Sequence, residues 1–153
     1  MPPTVILLAI HVLVAVIWVG GMFFAYIFLR PAALTLETEQ RVDLWFETLS
    51  RFFPWIWGIA VIAPLSGYAL LFALFDNLEQ TARYVWIMQW CGWTMITLFV
   101  ITFVAFYRKM ALRVKKRLIP EAGLYLNRIR IMISINLALG IGTVITAATG
   151  RFW

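Results

Sequence analysis

The sequence predicts an all-α integral membrane protein: a four-helix bundle forming one transmembrane domain over residues 1–153. Three observations carry that expectation. Hydrophobic residues make up 63% of the chain and charged residues 13%, a balance far from that of soluble globular domains. The apolar residues gather into four runs, about 5–29, 52–75, 84–107 and 129–148; at about 1.5 Å of helix rise per residue each can cross a hydrocarbon core about 30 Å thick. The charges fall mainly between these runs, where lipid headgroups and water would meet them.

Helix is the conformation expected in each run, because a lipid-facing segment has no water with which to satisfy its backbone and an α-helix pairs its own N–H and C=O groups. The first run follows Met1-Pro2-Pro3-Thr4, which lacks the positive start of a secretory signal, and continues to Leu29 without a convincing cleavage site. It is therefore expected to be a retained helix. Arg30-Pro31 is expected to end it, since proline disfavours helix at the residue before it. In the polar stretch 35–51, Trp45, Leu49 and the following Phe52 recur at helical spacing, which predicts a short amphipathic helix at the headgroups leading into the second run. Pro54 and Pro64 are expected to bend that second helix. A short polar turn holding Asn77, Glu79, Gln80 and Arg83 leads to the third run. That helix is expected to continue as a basic extension through Leu118 until Pro120 and Gly123 break it. The fourth closes at Gly150-Arg151-Phe152-Trp153, with an aromatic anchor at the interface.

The cationic residues predict orientation. Eight lie between the third and fourth runs (Arg108, Lys109, Arg113, Lys115, Lys116, Arg117, Arg128 and Arg130), three lie between the first and second (Arg30, Arg41 and Arg51), and only Arg83 and Arg151 lie on the other side. Eleven against two is a strong positive-inside asymmetry; it places both loops in the cytoplasm and both termini outside, in a bacterial inner membrane. The expected partner of the segment from Arg108 to Arg130 is anionic lipid, each charge contributing about 1 kcal/mol near the surface. Nucleic acid is not an expected partner. Cys91 is the only cysteine, so neither an intramolecular disulfide nor a multi-thiolate zinc or iron–sulfur site can form within one chain. A glycine-rich phosphate loop, a catalytic triad and an HExxH motif are absent from the sequence, and hydrolytic catalysis has no support.

His11 is the single histidine and lies about 9 Å along the first run, in its outer half. An ionisable residue at membrane depth is a functional-site hypothesis, because the bundle must hydrate it, pair it or give it a ligand. The structural alternative is a neutral imidazole hydrogen-bonded to another helix, with Gln89 as one available partner. His11, Ala15, Trp18 and Met22 share one helical stripe, and Gly20-Gly21 beside it favours close approach of a neighbouring helix. On the third run Met88, Cys91 and Met95 fall on one face, also in the outer half. With His11, these thioether and thiol groups are soft donors that suit Cu(I) better than harder divalent ions, although such a stripe also serves as ordinary packing. Ser134, Asn136, Thr143 and Thr146 on the fourth run are available as interhelical hydrogen-bonding groups.

His11-x6-Trp18-Val19-Gly20-Gly21-Met22-Phe23 with Leu29-Arg30-Pro31 resembles the opening helix of short copper-resistance D (CopD) family proteins. Arg51-Phe52-Phe53 leading to Ser66-Gly67-Tyr68, and Asn136-x3-Gly140 ending near Gly150-Arg151, resemble that family's second and last helices. The resemblance covers nearly the whole chain and implies copper handling or transport across the inner membrane. The opening motif is also similar to that of the small four-helix bacterial protoporphyrinogen oxidases, which implies haem b with His11 as a ligand and Trp18 and Gln89 beside it. A bis-histidine centre would then need the His11 of a second copy in a homo-oligomer. A third expectation is an accessory subunit of a larger membrane complex, with neither metal nor haem.

Overall fold

The computed structural model describes residues 2–75 and 81–152, with the side chain of Arg151 excepted. Asn77, Glu79 and Gln80 of the expected turn, and the Trp153 anchor, lie outside the described residues. The described chain is all-α. Four helices are long and apolar enough to cross a membrane: α1 (Pro3–Thr35), α2 (Thr38–Leu74), α3 (Arg83–Lys115) and α4 (Ile119–Thr149). The chain is thus a multi-pass membrane protein of four helices. Neighbours in sequence connect at alternate ends, so the cation-rich turns share one end of the bundle, called here the basic end. The start of α1 at Pro3, the α2 end at Leu74, the α3 start at Arg83 and Gly150–Phe152 share the other, terminal end.

Three boundaries differ from the sequence reading. The first helix does not stop at Arg30-Pro31. It widens into a π turn over Phe24–Leu29, passes through Arg30–Ala32 and tightens to a 3-10 turn at Ala33–Thr35; Pro31 stands at the start of the segment after the wide turn, where its missing N–H is tolerated. The polar stretch before the second run is not a separate helix. It is the first third of α2, which continues through both Pro54 and Pro64. Finally, α3 closes at Lys115, and Pro120 and Gly123 lie within α4 rather than breaking a helix. Proline is accepted in the first turn, whose N–H groups have no intrahelical acceptor in any case. The reversal is made at Lys116 and Arg117, with Arg117 in the left-handed region at φ 56°. Its guanidinium reaches Glu39 at 3.0 Å and Asp43 at 3.2 Å on α2.

Packing is uneven along the bundle axis. Among the described residues, every buried apolar side chain that is no more than 3% exposed belongs to the basic half: Met22, Ala33, Val42, Trp45, Leu49, Phe53, Ile56, Met110, Ala122, Leu126 and Ile129. An aromatic cluster fills the centre of that half. Phe53 meets Phe99, Phe103 and Tyr107 with ring centroids at 5.7, 5.6 and 4.7 Å, in the tilted and edge-on geometries that aromatic quadrupoles favour. Of the glycine pair expected to admit a neighbour, Gly21 does so: a Cβ there would stand 2.6 Å from the Phe52 ring, whereas one at Gly20 would meet open space. Large apolar groups such as Trp55, Leu65 and Trp90 face outward, being 69%, 66% and 73% exposed, as lipid contact demands.

Candidate functional site

The terminal half of the bundle is hollow. A cavity of about 260 Å³ lies there between all four helices, lined from residues 8–19 of α1, 63–75 of α2, 84–96 of α3 and 140–144 of α4. Its walls are mostly aliphatic and aromatic. Small residues help to create it, with Ala15, Ala63, Gly67, Gly92 and Gly140 all at the lining. The polar groups that face it include His11, Tyr68 and Gln89; a few convergent polar groups in an apolar cleft are the usual composition of a ligand site.

His11 is the best-defined of these. Its Nδ1 lies 3.1 Å from the Ala63 carbonyl and 3.0 Å from Ser66 Oγ. A carbonyl can only accept, and the Ser66 hydroxyl donates to the carbonyls of Ile62 at 2.7 Å and Ala63 at 3.1 Å, so its oxygen is left to accept from the ring. This network assigns the proton to Nδ1 and the lone pair to Nε2. Among the described residues no protein partner engages Nε2, while the imidazole lines the cavity. Gly67 makes the arrangement possible, since a Cβ at that position would stand 3.1 Å from His11 Cε1 and crowd the ring off α2. The same relation between a ring N–H and a backbone carbonyl orients imidazoles that bind a ligand through their other nitrogen.

The expected site residues divide. His11, Trp18, Met88, Gln89 and Met95 line the one cavity. Met22 does not: it is 2% exposed and packs deeper, against a second void of about 20 Å³ that it shares with Trp18 and Asn136. Cys91 is half-buried and lines neither space; its neighbour Gly92 faces the cavity in its place. Gln89 faces the cavity but is not a hydrogen-bond partner of His11. That role falls to Ser66 and Ala63 on α2, so the histidine is fastened to the second helix rather than the third. Among the groups considered as interhelical glue, Asn136 bonds across, its Nδ2 donating to the Met95 carbonyl at 3.3 Å. Ser134 and Thr143 instead donate to their own helix, at Ile131 and Leu139.

Ser66, Gly67 and the Ala63 carbonyl are functional groups that the residue-by-residue reading missed. A signal was present in Ser66-Gly67-Tyr68, a hydroxyl next to a small residue inside an apolar run, where an unpaired hydroxyl is costly. Tyr68 is held from α3 by Trp93, whose Nε1 donates to its hydroxyl at 3.2 Å.

Among the described residues no three His, Cys, Asp or Glu side chains gather as ligands, so a hard divalent ion would find no carboxylate cage. The potential ligands that line the cavity include one imidazole nitrogen and two thioethers, beside the neutral oxygens of Tyr68, Tyr84, Gln89 and Thr143. That set suits a soft, monovalent ion or the iron of a macrocycle that brings its own nitrogens. No family model, curated protein or solved structure matches this chain.

Proposed function

We propose that the protein handles copper in a bacterial inner membrane, with Cu(I) as its cargo held through His11 Nε2 in the terminal-half cavity. The observation that carries this reading is the tautomer of His11 fixed by Ala63 and Ser66, which leaves the Nε2 lone pair unengaged on a ring that lines a cavity together with Met88 and Met95. Thioethers are neutral, weak ligands that prefer Cu(I), so an ion held by them can also leave. Met22 and Cys91 do not line that cavity and are not ligands in this reading. Orientation by the positive-inside rule puts the cavity on the periplasmic side and the basic end in the cytoplasm. Reporter fusions test this directly: a fusion after Trp153 is expected to be active only in a periplasmic assay, and one between Arg108 and Arg128 only in a cytoplasmic assay. The reverse pattern would refute the orientation.

The volume of the cavity supports a second reading. About 260 Å³ of mostly apolar space is more than a lone ion requires and approaches the size of pockets that hold organic ligands. Haem b with His11 as its axial ligand is the alternative, Trp18 and Gln89 lying beside it on the cavity wall. Anaerobic titration with Cu(I), together with a visible spectrum of the purified protein, separates the readings. One Cu(I) bound per colourless chain supports copper handling, a Soret band supports haem, and neither supports an accessory subunit.

A further inference from the structure

The basic end holds an arginine whose environment is incomplete. Arg130 lies in the second half of the first four turns of α4, directed toward the bundle, with its Cζ 5.2 Å above the ring of Trp45 on α2. Trp45 is itself 2% exposed. Three donors at this contact are buried and have no hydrogen-bond acceptor among the described residues: Arg130 Nε, Arg130 Nη2 and Trp45 Nε1. Buried polar groups are overwhelmingly paired in folded proteins, and an unpaired one costs about 1–3 kcal/mol, more when charged.

The basic side chains that share this end with Arg130 include Arg30 at the end of α1 and Arg41 near the start of α2. No carboxylate offsets them. Of the five described acidic side chains, Glu39 and Asp43 pair with Arg117, Glu47 with Arg51 and Glu121 with Arg113; Glu37 is exposed and forms no ion pair among the described residues. Among the described residues Arg30 meets the face of Tyr26, at 4.9 Å, and Arg41 the Thr38 hydroxyl, at 3.3 Å. Arg130 lies over Trp45, Arg41 stands one helical turn before Trp45 on α2, and Arg30 closes the wide turn of α1 at the same end, so three helices present guanidinium groups at the basic end and among the described residues none of the three pairs with a carboxylate. Arginine's planar fork matches phosphate oxygens in pairs, and charge-assisted bonds of that kind are the strong ones.

We propose that Arg30, Arg41 and Arg130 form a binding site for a phosphate group at the basic end, distinct from the His11 cavity at the opposite end. The Trp45 ring supplies its floor. The phosphate belongs to the headgroup of an anionic phospholipid or to a soluble phosphate compound; the two sources share the same oxygens and differ in whether acyl chains are present. Occupancy ties α1, α2 and α4 together at one point.

The test uses the full-length protein, delipidated in detergent, with thermal melting and native mass spectrometry as readouts. Phosphatidylglycerol, phosphatidylcholine and inorganic pyrophosphate are the probes. Phosphatidylglycerol is expected to raise the melting temperature and remain bound in the mass spectrum, with phosphatidylcholine much weaker. Arg130→Gln is expected to weaken that binding about tenfold, in keeping with loss of a hydrogen-bonded charge, and the control Arg51→Gln, at an arginine of the same end that is 84% exposed and already paired with Glu47, is expected to change it little. If pyrophosphate reproduces the Arg130-dependent shift, the source is a soluble phosphate. Should Arg130→Gln fail to fold, Arg41→Gln reports on the same site from another helix. An equal lipid effect in wild type, Arg130→Gln and Arg41→Gln would assign it to general surface charge and overturn the site, as would the absence of any effect.

Discussion

Replacing His11 with alanine is expected to abolish stoichiometric ligand binding while leaving the bundle inserted and folded. The two effects separate because the histidine's structural contribution is small. Its bonds to Ser66 and Ala63 are interhelical contacts, and in membrane proteins such a bond contributes about 0.6 kcal/mol on average. The same ring supplies the only imidazole in the chain, so no other nitrogen of that kind can replace Nε2. Anaerobic Cu(I) titration of wild type and His11→Ala measures the first effect, and thermal melting of the same preparations measures the second. Ser66→Ala gives a graded case. It removes one acceptor at Nδ1 but leaves the Ala63 carbonyl, so affinity is expected to fall toward the lower end of the roughly 10–100-fold loss typical of groups that orient a ligand. Wild-type and His11→Ala proteins that bind Cu(I) equally, with no haem in either spectrum, would remove both the copper and haem readings.

Phe53→Ala is expected to cause the largest loss of stability among single truncations in the bundle. Phe53 is 3% exposed and sits among Phe52, Phe99, Phe103 and Tyr107, joining α2 to α3 in the solid half of the molecule. Burial of a phenyl group in a soluble core is worth about 3–5 kcal/mol against alanine, part of it from transfer out of water and part from the cavity left behind. Lipid is as apolar as the core, so the transfer part is reduced here and dispersion and ring geometry dominate. A loss near 3 kcal/mol is expected. Trp55→Ala, which removes a larger ring that is 69% exposed to lipid, should cost well under half as much. Reversible unfolding in mixed micelles compares the two, and equal losses would show that the aromatic cluster does not hold α2 and α3 together.

The outline of this protein was legible before any coordinates, and the reasons are general to membranes. Four apolar runs at span length leave helix as the economical conformation, and the cations had to fall at the turns. Helix ends were read less well. Pro31, Pro54, Pro64 and Pro120 are all accommodated within helical stretches, because a lost N–H or a wide turn costs less than exposing several backbone groups to lipid. Proline punctuation that is dependable in water is therefore weaker here.

His11 could be singled out from sequence, since an isolated imidazole at membrane depth demands a partner. Its partner could not. Gln89 on α3 and Ser66 on α2 are both polar residues in the terminal half, and helical periodicity alone says nothing about which neighbour stands beside which face. The approach of α1 to α2 through Gly67 decided in favour of Ser66. The same limit applies to Met22 and Cys91, which share a stripe or face with residues of the cavity yet do not line it. A stripe is a property of one helix, whereas a cavity is bounded by four and depends on how their rotations and tilts combine. Sequence determined by itself that four helices cross a membrane, that their basic turns share one end, and that a lone histidine lies toward the other. Tertiary packing alone decided that the basic half is solid and the terminal half hollow, and which nitrogen of His11 is free to face that space.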